Sequence, residues 1–378
     1  MNKNQPIAAL PKTGHAHRLY SLDALRGFDM FWIMGAEEIV QTLSKATGSS
    51  FWEGFSNQLT HPAWHGFHFY DLIFPLFLFL AGVATPYSVG RELENGKSKK
   101  QLLWRVVRRG LVLVVLGVIY NNGLVIKPLS EIRFGSVLGR IGIAYMFANI
   151  IYLYSKERTQ IIWFGGLLIG YWLLLKFTSA PGFPRGDLTM EGNFASYIDR
   201  HLIPGRLYLG IHDPEGLVSA IPAIATGLLG ILTGRFIKNS PVNPGRKAMT
   251  MAIAGAVSLA LAQLWNLDFP INKNLWTSSF VLQVGGWSLL LLSLFYWVID
   301  VLGYKKWAFF FKVIGMNSIL IYMSGQFIQW EYSTKAFFGW LGQLFHDPYN
   351  LVIMAICYVF VKWAFLYFMY VQKIFLRV

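Results

Sequence analysis

The chain has 378 residues, of which 54% are apolar, 16% aromatic and only 14% charged, and its formal net charge is +14. Soluble domains carry roughly 25% charged residues, so this composition excludes an ordinary soluble protein and points to a bilayer. The lone cysteine, Cys357, excludes a disulfide framework and reads as packing inside an apolar run.

In chain order, residues 1–18 are polar and lack a signal-peptide pattern; they read as a cytoplasmic N-terminal segment. Residues 19–378 read as a single transmembrane domain. Apolar stretches fall near 28–43, 69–89, 106–122, 136–154, 161–177, 216–234, 248–265, 277–301, 312–330 and 350–371. Crossing the hydrocarbon takes roughly 20 apolar residues. The runs are continuous rather than alternating, so helices are expected, because backbone polar groups must be satisfied internally in lipid. The fold class is therefore all-α, a polytopic membrane protein of about ten transmembrane helices.

An even number of spans puts both termini on one side. Most of the 33 lysines and arginines lie in the segments sharing that side, including Lys97, Lys99, Lys100, Arg105, Arg108 and Arg109. The positive-inside rule then gives N-in and C-in. The net charge is thus a topology signal and not a sign of nucleic-acid binding. Basic inner loops also suit anionic lipid or the phosphates of a cytoplasmic cofactor.

With this orientation most acidic residues fall outside, together with His61, His65, His68, His201, His212 and His346. Charge bias accounts for the acids; it does not account for histidines that are mostly neutral at pH 7. Two outer loops are long, about 44–68 and 178–215, and the stretch 193–202 reads as a short helix. Long loops inside a compact protein are usually functional.

The sharpest local pattern is His61-Pro-Ala-Trp-His-Gly-Phe-His-Phe-Tyr-Asp71, where the chain re-enters the membrane. Pro62 suits the first turn of a helix with His61 at its cap. Three roles fit His61: a base or nucleophile, a metal ligand with His65 and His68, and packing among aromatics. Asp71 at membrane depth needs a partner; His61, His68 and Arg140 are candidates. Asp23 and Arg26 stand on one helix face and can pair, or Arg26 can meet a phosphate at the inner face. Glu37, with Glu38, ends the first span and either reaches outer water or lines the site. Asp213 and Glu215 either cap the sixth span or bind a cationic amine. Asn272, Lys273, Asn274, Asn317 and Ser318 are polar groups at span ends that mark a ligand path, as does Arg140.

Ser21-Leu-Asp-Ala-Leu-Arg-Gly27, His61-x-x-Trp64-x-Gly66 with Asp71-Leu-Ile-Phe-Pro75, Asp213-Pro-Glu-Gly216, Asn272-Lys-Asn-Leu-Trp276 and Gly315-Met-Asn-Ser318 occur in this order. As a set they resemble the heparan-α-glucosaminide N-acetyltransferase family. The resemblance implies a membrane-embedded acetyltransferase that takes acetyl-CoA from the cytoplasm and acetylates the amine of a terminal glucosamine on the far side. It places the active-site histidine at His61, as an acetyl carrier or as a general base. Animal members carry asparagine where this chain has Glu37 and His65, and the extra N-terminal region of the lysosomal enzymes is not seen here. A bacterial inner-membrane enzyme acting on an envelope or glycan-derived amino sugar is therefore expected, with no resident metal.

The combined expectation gives His61, Glu37 and Asp71 the chemistry. Arg26, Arg140, Asn272, Lys273, Asn274, Asn317 and Ser318 would hold acetyl-CoA, and Trp64, His65, Asp213 and Glu215 the acceptor. Besides the lipid bilayer and the sugar, a second copy of the chain is a compatible partner. The rivals are an amino-sugar transporter, a sugar O-acyltransferase and a metal-dependent membrane hydrolase.

Overall fold

The computed structural model describes residues 19–376, so the polar segment 1–18 lies outside the described residues. The first helical unit is α1 (Tyr20–Phe31), a π-helical turn (Trp32–Ala36) and α2 (Glu37–Thr47). Gly35 breaks the helix with φ 126°, a conformation that only glycine adopts readily. The helix α3 (Ser50–Gln58) follows, occupying much of the expected outer loop. A 3-10 turn (Phe69–Leu72) leads into α4 (Ile73–Glu94), and α5 (Lys99–Asn122) returns from a Ser98/Gln101 capping box.

Next come α6 (Val137–Tyr154) and α7 (Glu157–Phe177), then the short helix α8 (Phe194–Leu202) in the long loop 178–215, as the sequence predicts. Asn193 caps α8 through Ser196 N–H. The remaining helices are α9 (Ala220–Asn239), α10 (Pro244–Asn266), α11 (Ser278–Phe295), α12 (Phe309–Met316), α13 (Ser318–Phe327), α14 (Trp330–Gly342) and α15 (Tyr349–Val371). Among the described residues the only extended pairing is an isolated bridge between Arg133 and Gly205.

The chain is an all-helical polytopic membrane protein. Among the described residues seven helical segments are long and apolar enough to cross a bilayer: Phe69–Glu94, Val137–Tyr154, Glu157–Phe177, Ala220–Asn239, Pro244–Asn266, Ser278–Val301 and Tyr349–Val371. The other three expected stretches fall on helices of mixed character. The α1–π–α2 unit carries Asp29, Glu37 and Glu38, and α5 carries a run of arginines. The α12–α13 pair is interrupted at Asn317, whose φ of −132° is not helical. The helix α14 was not anticipated.

Glycine sets how closely the inner helices approach. A Cβ on Gly82 of α4 would lie 2.3 Å from the Gly227 carbonyl oxygen of α9, and one on Gly230 would lie 2.1 Å from that of Phe79. Without a hydrophobic drive between helices in lipid, such backbone contact is what packs them. The core runs along this seam, with Leu78, Phe79, Val83 and Ala223 fully or almost fully buried. This seam fixes α4, the helix that begins beside His61.

Candidate active site

The segment 61–68 is irregular, not the helix expected from Pro62. Gly66 takes φ 122° and its N–H bonds the Ile271 carbonyl at 2.9 Å, which ties the segment to the loop before α11 instead of to itself. The helical spacing imagined for a three-histidine metal set is therefore lost. His61 turns to Asp71, His65 Nδ1 lies 3.2 Å from Asn272 Nδ2, and His68 Nδ1 lies 3.1 Å from the Thr60 carbonyl. Among the described residues no three such donors converge.

Asp71, in the 3-10 turn, has a fully buried side chain, whereas that of His61 is 44% exposed. Asp71 Oδ1 lies 2.7 Å from His61 Nδ1, and Oδ2 accepts the His68 N–H at 2.9 Å. The carboxylate thus holds the proton on Nδ1 and leaves Nε2 with its lone pair. Of the three partners considered for Asp71, His61 and the His68 backbone are used and Arg140 is not. Tyr70 flanks the imidazole at 5.2 Å between ring centroids.

The loop before α11 brings a third group. Lys273 Nζ lies 2.9 Å from His61 Nε2 and 3.6 Å from Asp71 Oδ1. Burial, opposed by Asp71 and Glu215 and assisted by Arg140, holds its ammonium below the ordinary lysine range. Asn272 shapes this loop: its Oδ1 accepts Leu275 N–H at 2.9 Å and its side-chain nitrogen meets His65. Burial lowers the His65 imidazole below its usual value. Asn274 is half-buried beside Lys273.

Asp213 and Glu215 do not cap the following helix, which starts at Ala220 without a side-chain cap. Both carboxylates face Arg133. Its Nε and Nη2 reach the two Asp213 oxygens at 3.0 and 2.9 Å, and Nη2 reaches Glu215 at 2.6 Å. Against the cost of burial, this guanidinium and nearby N–H groups hold Asp213 below the usual carboxylate range. Sequence reasoning missed Arg133; its only signal was a basic residue on the acidic side. Arg140 is buried, donates to the Pro214 carbonyl and Ser219, and stacks 4.7 Å from the Trp276 ring.

Trp64 ties its segment to the loop before α8, donating to the Leu188 carbonyl at 2.8 Å and packing 5.2 Å from the His212 ring. His212 Nδ1 lies 2.8 Å from Ser196 Oγ. Burial pushes the His212 imidazole down to about 4 and the neighbouring Asp199 carboxyl up to about 6. Glu37 lies just beyond the Gly35 kink, near enough to Tyr70 for its charge to be felt there. Its Oε2 is buried without a partner among the described residues, and Lys362 Nζ nearby donates to the Met34 carbonyl at 2.9 Å.

At the other end of α4, about 22 Å away along Ile73–Ser88 at 1.5 Å per residue, two clefts of about 400 and 590 Å³ share Ser88, Arg109 and Leu376. Arg26 and Ser318 line the first, Arg105 and Arg108 the second. Arg26 sits 3.7 Å from Asp23, as the sequence spacing predicts. Asn317 does not line the cleft. It fastens the C-terminal segment, donating to the Ile374 carbonyl at 2.9 Å and accepting from Leu376 N–H at 3.0 Å.

Small separate voids that share lining residues lie between the two ends. The first cleft shares Phe77 and Ile319 with a void that Tyr322 also lines. That void shares Phe74, Val137 and Ile141 with a second one, lined by Arg140, Glu215, Trp276 and Lys273. Lys273 then touches His61. The arrangement is that of a helical membrane protein with a histidine–carboxylate pair at one end of a file of cavities and an arginine cleft at the other.

The family profile described as heparan-alpha-glucosaminide N-acetyltransferase, catalytic, matches residues 18–262. The chain belongs to this family. It is 28% identical to the human heparan-alpha-glucosaminide N-acetyltransferase over 434 aligned positions, covering 98% of this chain and 61% of that protein. It is 28% identical to the mouse protein of the same name over 369 positions, covering 83% and 54%. The chain thus spans 54–61% of the length of these curated relatives. The profile includes His61, Asp71, Arg133 and Arg140; Lys273 and Asn317 lie beyond it.

Proposed function

We propose that the protein is an acetyl-CoA-dependent N-acetyltransferase that moves the acetyl group to the amine of a glucosamine-type sugar. It crosses the cytoplasmic membrane of a bacterial cell about ten times, with both termini inside and His61 near the outer face. The observation that carries this reading is the row of cavities with shared lining residues from the arginine cleft to Lys273, which lies against the His61–Asp71 pair.

Arg26, Arg105, Arg108 and Arg109 suit the phosphates of coenzyme A, since guanidinium matches phosphate in shape and charge. The narrow pantetheine arm suits the voids beyond. Each void has a volume of about 10 Å³, room for about one water, so Phe74 and Phe77 swing aside when the arm enters. The acceptor approaches from the exposed side of His61, between Trp64, His65 and Tyr70.

His61 acts as a general base. Its Nδ1–H donates to Asp71, and Nε2 takes a proton from the acceptor ammonium. The freed amine attacks the thioester carbonyl, the C–S bond breaks, and the thiolate takes the proton from His61. The second proton lost by the amine goes to water.

The test uses purified protein, radiolabelled acetyl-CoA and glucosamine. Amide product from wild type and none from folded His61→Ala is the expected result. Label retained on the protein after acid quench without sugar would replace direct transfer by an acetyl-histidine intermediate. No product and no coenzyme A release with a panel of amino sugars, together with counterflow of labelled sugar in liposomes, would overturn the reading in favour of a transporter.

A further inference from the structure

Three cations approach the outer end of the cavity file, and two are committed elsewhere. Arg133 is held by Asp213 and Glu215; Arg140 is held by Pro214, Ser219 and the Trp276 ring. Lys273 alone of the three has reacting groups as partners, with Nζ 2.9 and 3.2 Å from the two ring nitrogens of His61. Its side chain is only 14% exposed and lines the last void. The backbone beneath it is fixed: Asn272 N–H bonds Thr277 Oγ1 at 3.0 Å, and Tyr171 Oη donates to the Leu275 carbonyl at 2.6 Å. The flexible part is the four-carbon stem. Any thioester that reaches His61 through the voids passes this ammonium.

We propose that Lys273 is a catalytic residue: at rest its ammonium fills the acceptor's place beside His61, and once the acceptor displaces it, it hydrogen-bonds the thioester carbonyl oxygen. The inference rests on the acetyltransferase reading. When the acceptor amine attacks, the new C–N bond forms and the carbonyl π pair moves to oxygen, where Nζ–H donates to the developing charge. Collapse returns that pair, breaks the C–S bond, and the thiolate takes the proton from His61. Lys273 keeps its own protons throughout. Preorganised donors aimed at such an oxyanion are among the largest contributors to acyl-transfer catalysis.

The test compares wild type, Lys273→Met and Lys273→Arg by kcat, KM for acetyl-CoA and glucosamine, pH profile and thermal melting. The methionine variant should lose roughly 10²–10³-fold in kcat with KM for acetyl-CoA little changed. The arginine variant should retain part of the rate. The groups facing Nζ are His61, Asp71, Glu215 and Arg140. Wild-type kcat should fall at alkaline pH as the buried ammonium deprotonates, and that limb should move upward in the arginine variant, whose charge persists. Wild-type transfer with kcat intact in folded Lys273→Met overturns this inference alone, as does an alkaline limb identical in the arginine variant. Absence of transfer by wild type to any amino sugar overturns it together with the acetyltransferase reading.

Discussion

The two ends of the cavity file hold their charges differently. At the His61 end the polar groups are locked to one another: Asp71 to His61 and the His68 backbone, Arg133 to Asp213 and Glu215, Arg140 to Pro214 and Ser219. At the arginine end Arg26 pairs with Asp23, Arg105 with Glu92 and Arg109 with Tyr145, yet together with Arg108 these groups also border clefts of several hundred Å³. Locked groups preorganise a reaction, because nothing must reorient when charge develops. Cations gathered around an open cleft suit a polyanionic ligand. On the proposed function, chemistry falls to the first end and capture to the second.

Substitutions at each end should therefore fail in different ways. His61→Ala should lower kcat by roughly 10²–10⁴-fold, the range for a lost general base, with the melting temperature retained; an unaffected kcat would dissolve the contrast. Arg133→Ala should cost about 3–5 kcal/mol of stability, because it leaves Asp213 and Glu215 partly or fully buried without their cation. Thermal melting in detergent reads this directly, and Glu215→Gln in the same background should recover part of the loss.

Arg109→Ala, at the other end, should raise KM for acetyl-CoA about tenfold, since a charge-assisted hydrogen bond contributes about 1.5–3 kcal/mol. The saturated rate should stay, and the defect should grow with salt. A fall in kcat without a KM change would place chemistry at the wrong end.

The smallest effect concerns pH. Burial pushes the Asp199 carboxyl up to about 6, above its unfolded value. Its contribution is greatest below the unfolded value and declines as pH rises through about 6, because the ionised form is disfavoured in the fold. Asp199→Asn, which still accepts the Leu217 N–H, should therefore raise the melting temperature by a few degrees at pH 7.5 and change it little at pH 4. Equal shifts at both pH values would assign the effect to packing.

Much of the candidate site was legible in residue types. His61, Asp71 and Trp64 stood out because they cluster within a few residues where a long apolar run begins. Arg26 and Asp23 were legible because the spacing within a helix is fixed. The helix drawn through Pro62 was not there, because the link from Gly66 to Ile271 outweighs local propensity. The capping role weighed for Asp213 and Glu215 gave way to Arg133, a partner 80 residues away from Asp213.

The sequence by itself determined that this is a helical membrane chain with a basic end and a histidine-bearing end. Those properties follow from hydrocarbon thickness, backbone hydrogen bonding and charge counts, all of which act locally. Tertiary structure decided which polar group meets which. Lys273 reaches His61 across 212 residues of sequence, and the cavities exist only where α1, α4, α6 and α13 leave space between them. Partner choice inside a low-dielectric bundle depends on packing between distant segments, and no local pattern encodes it.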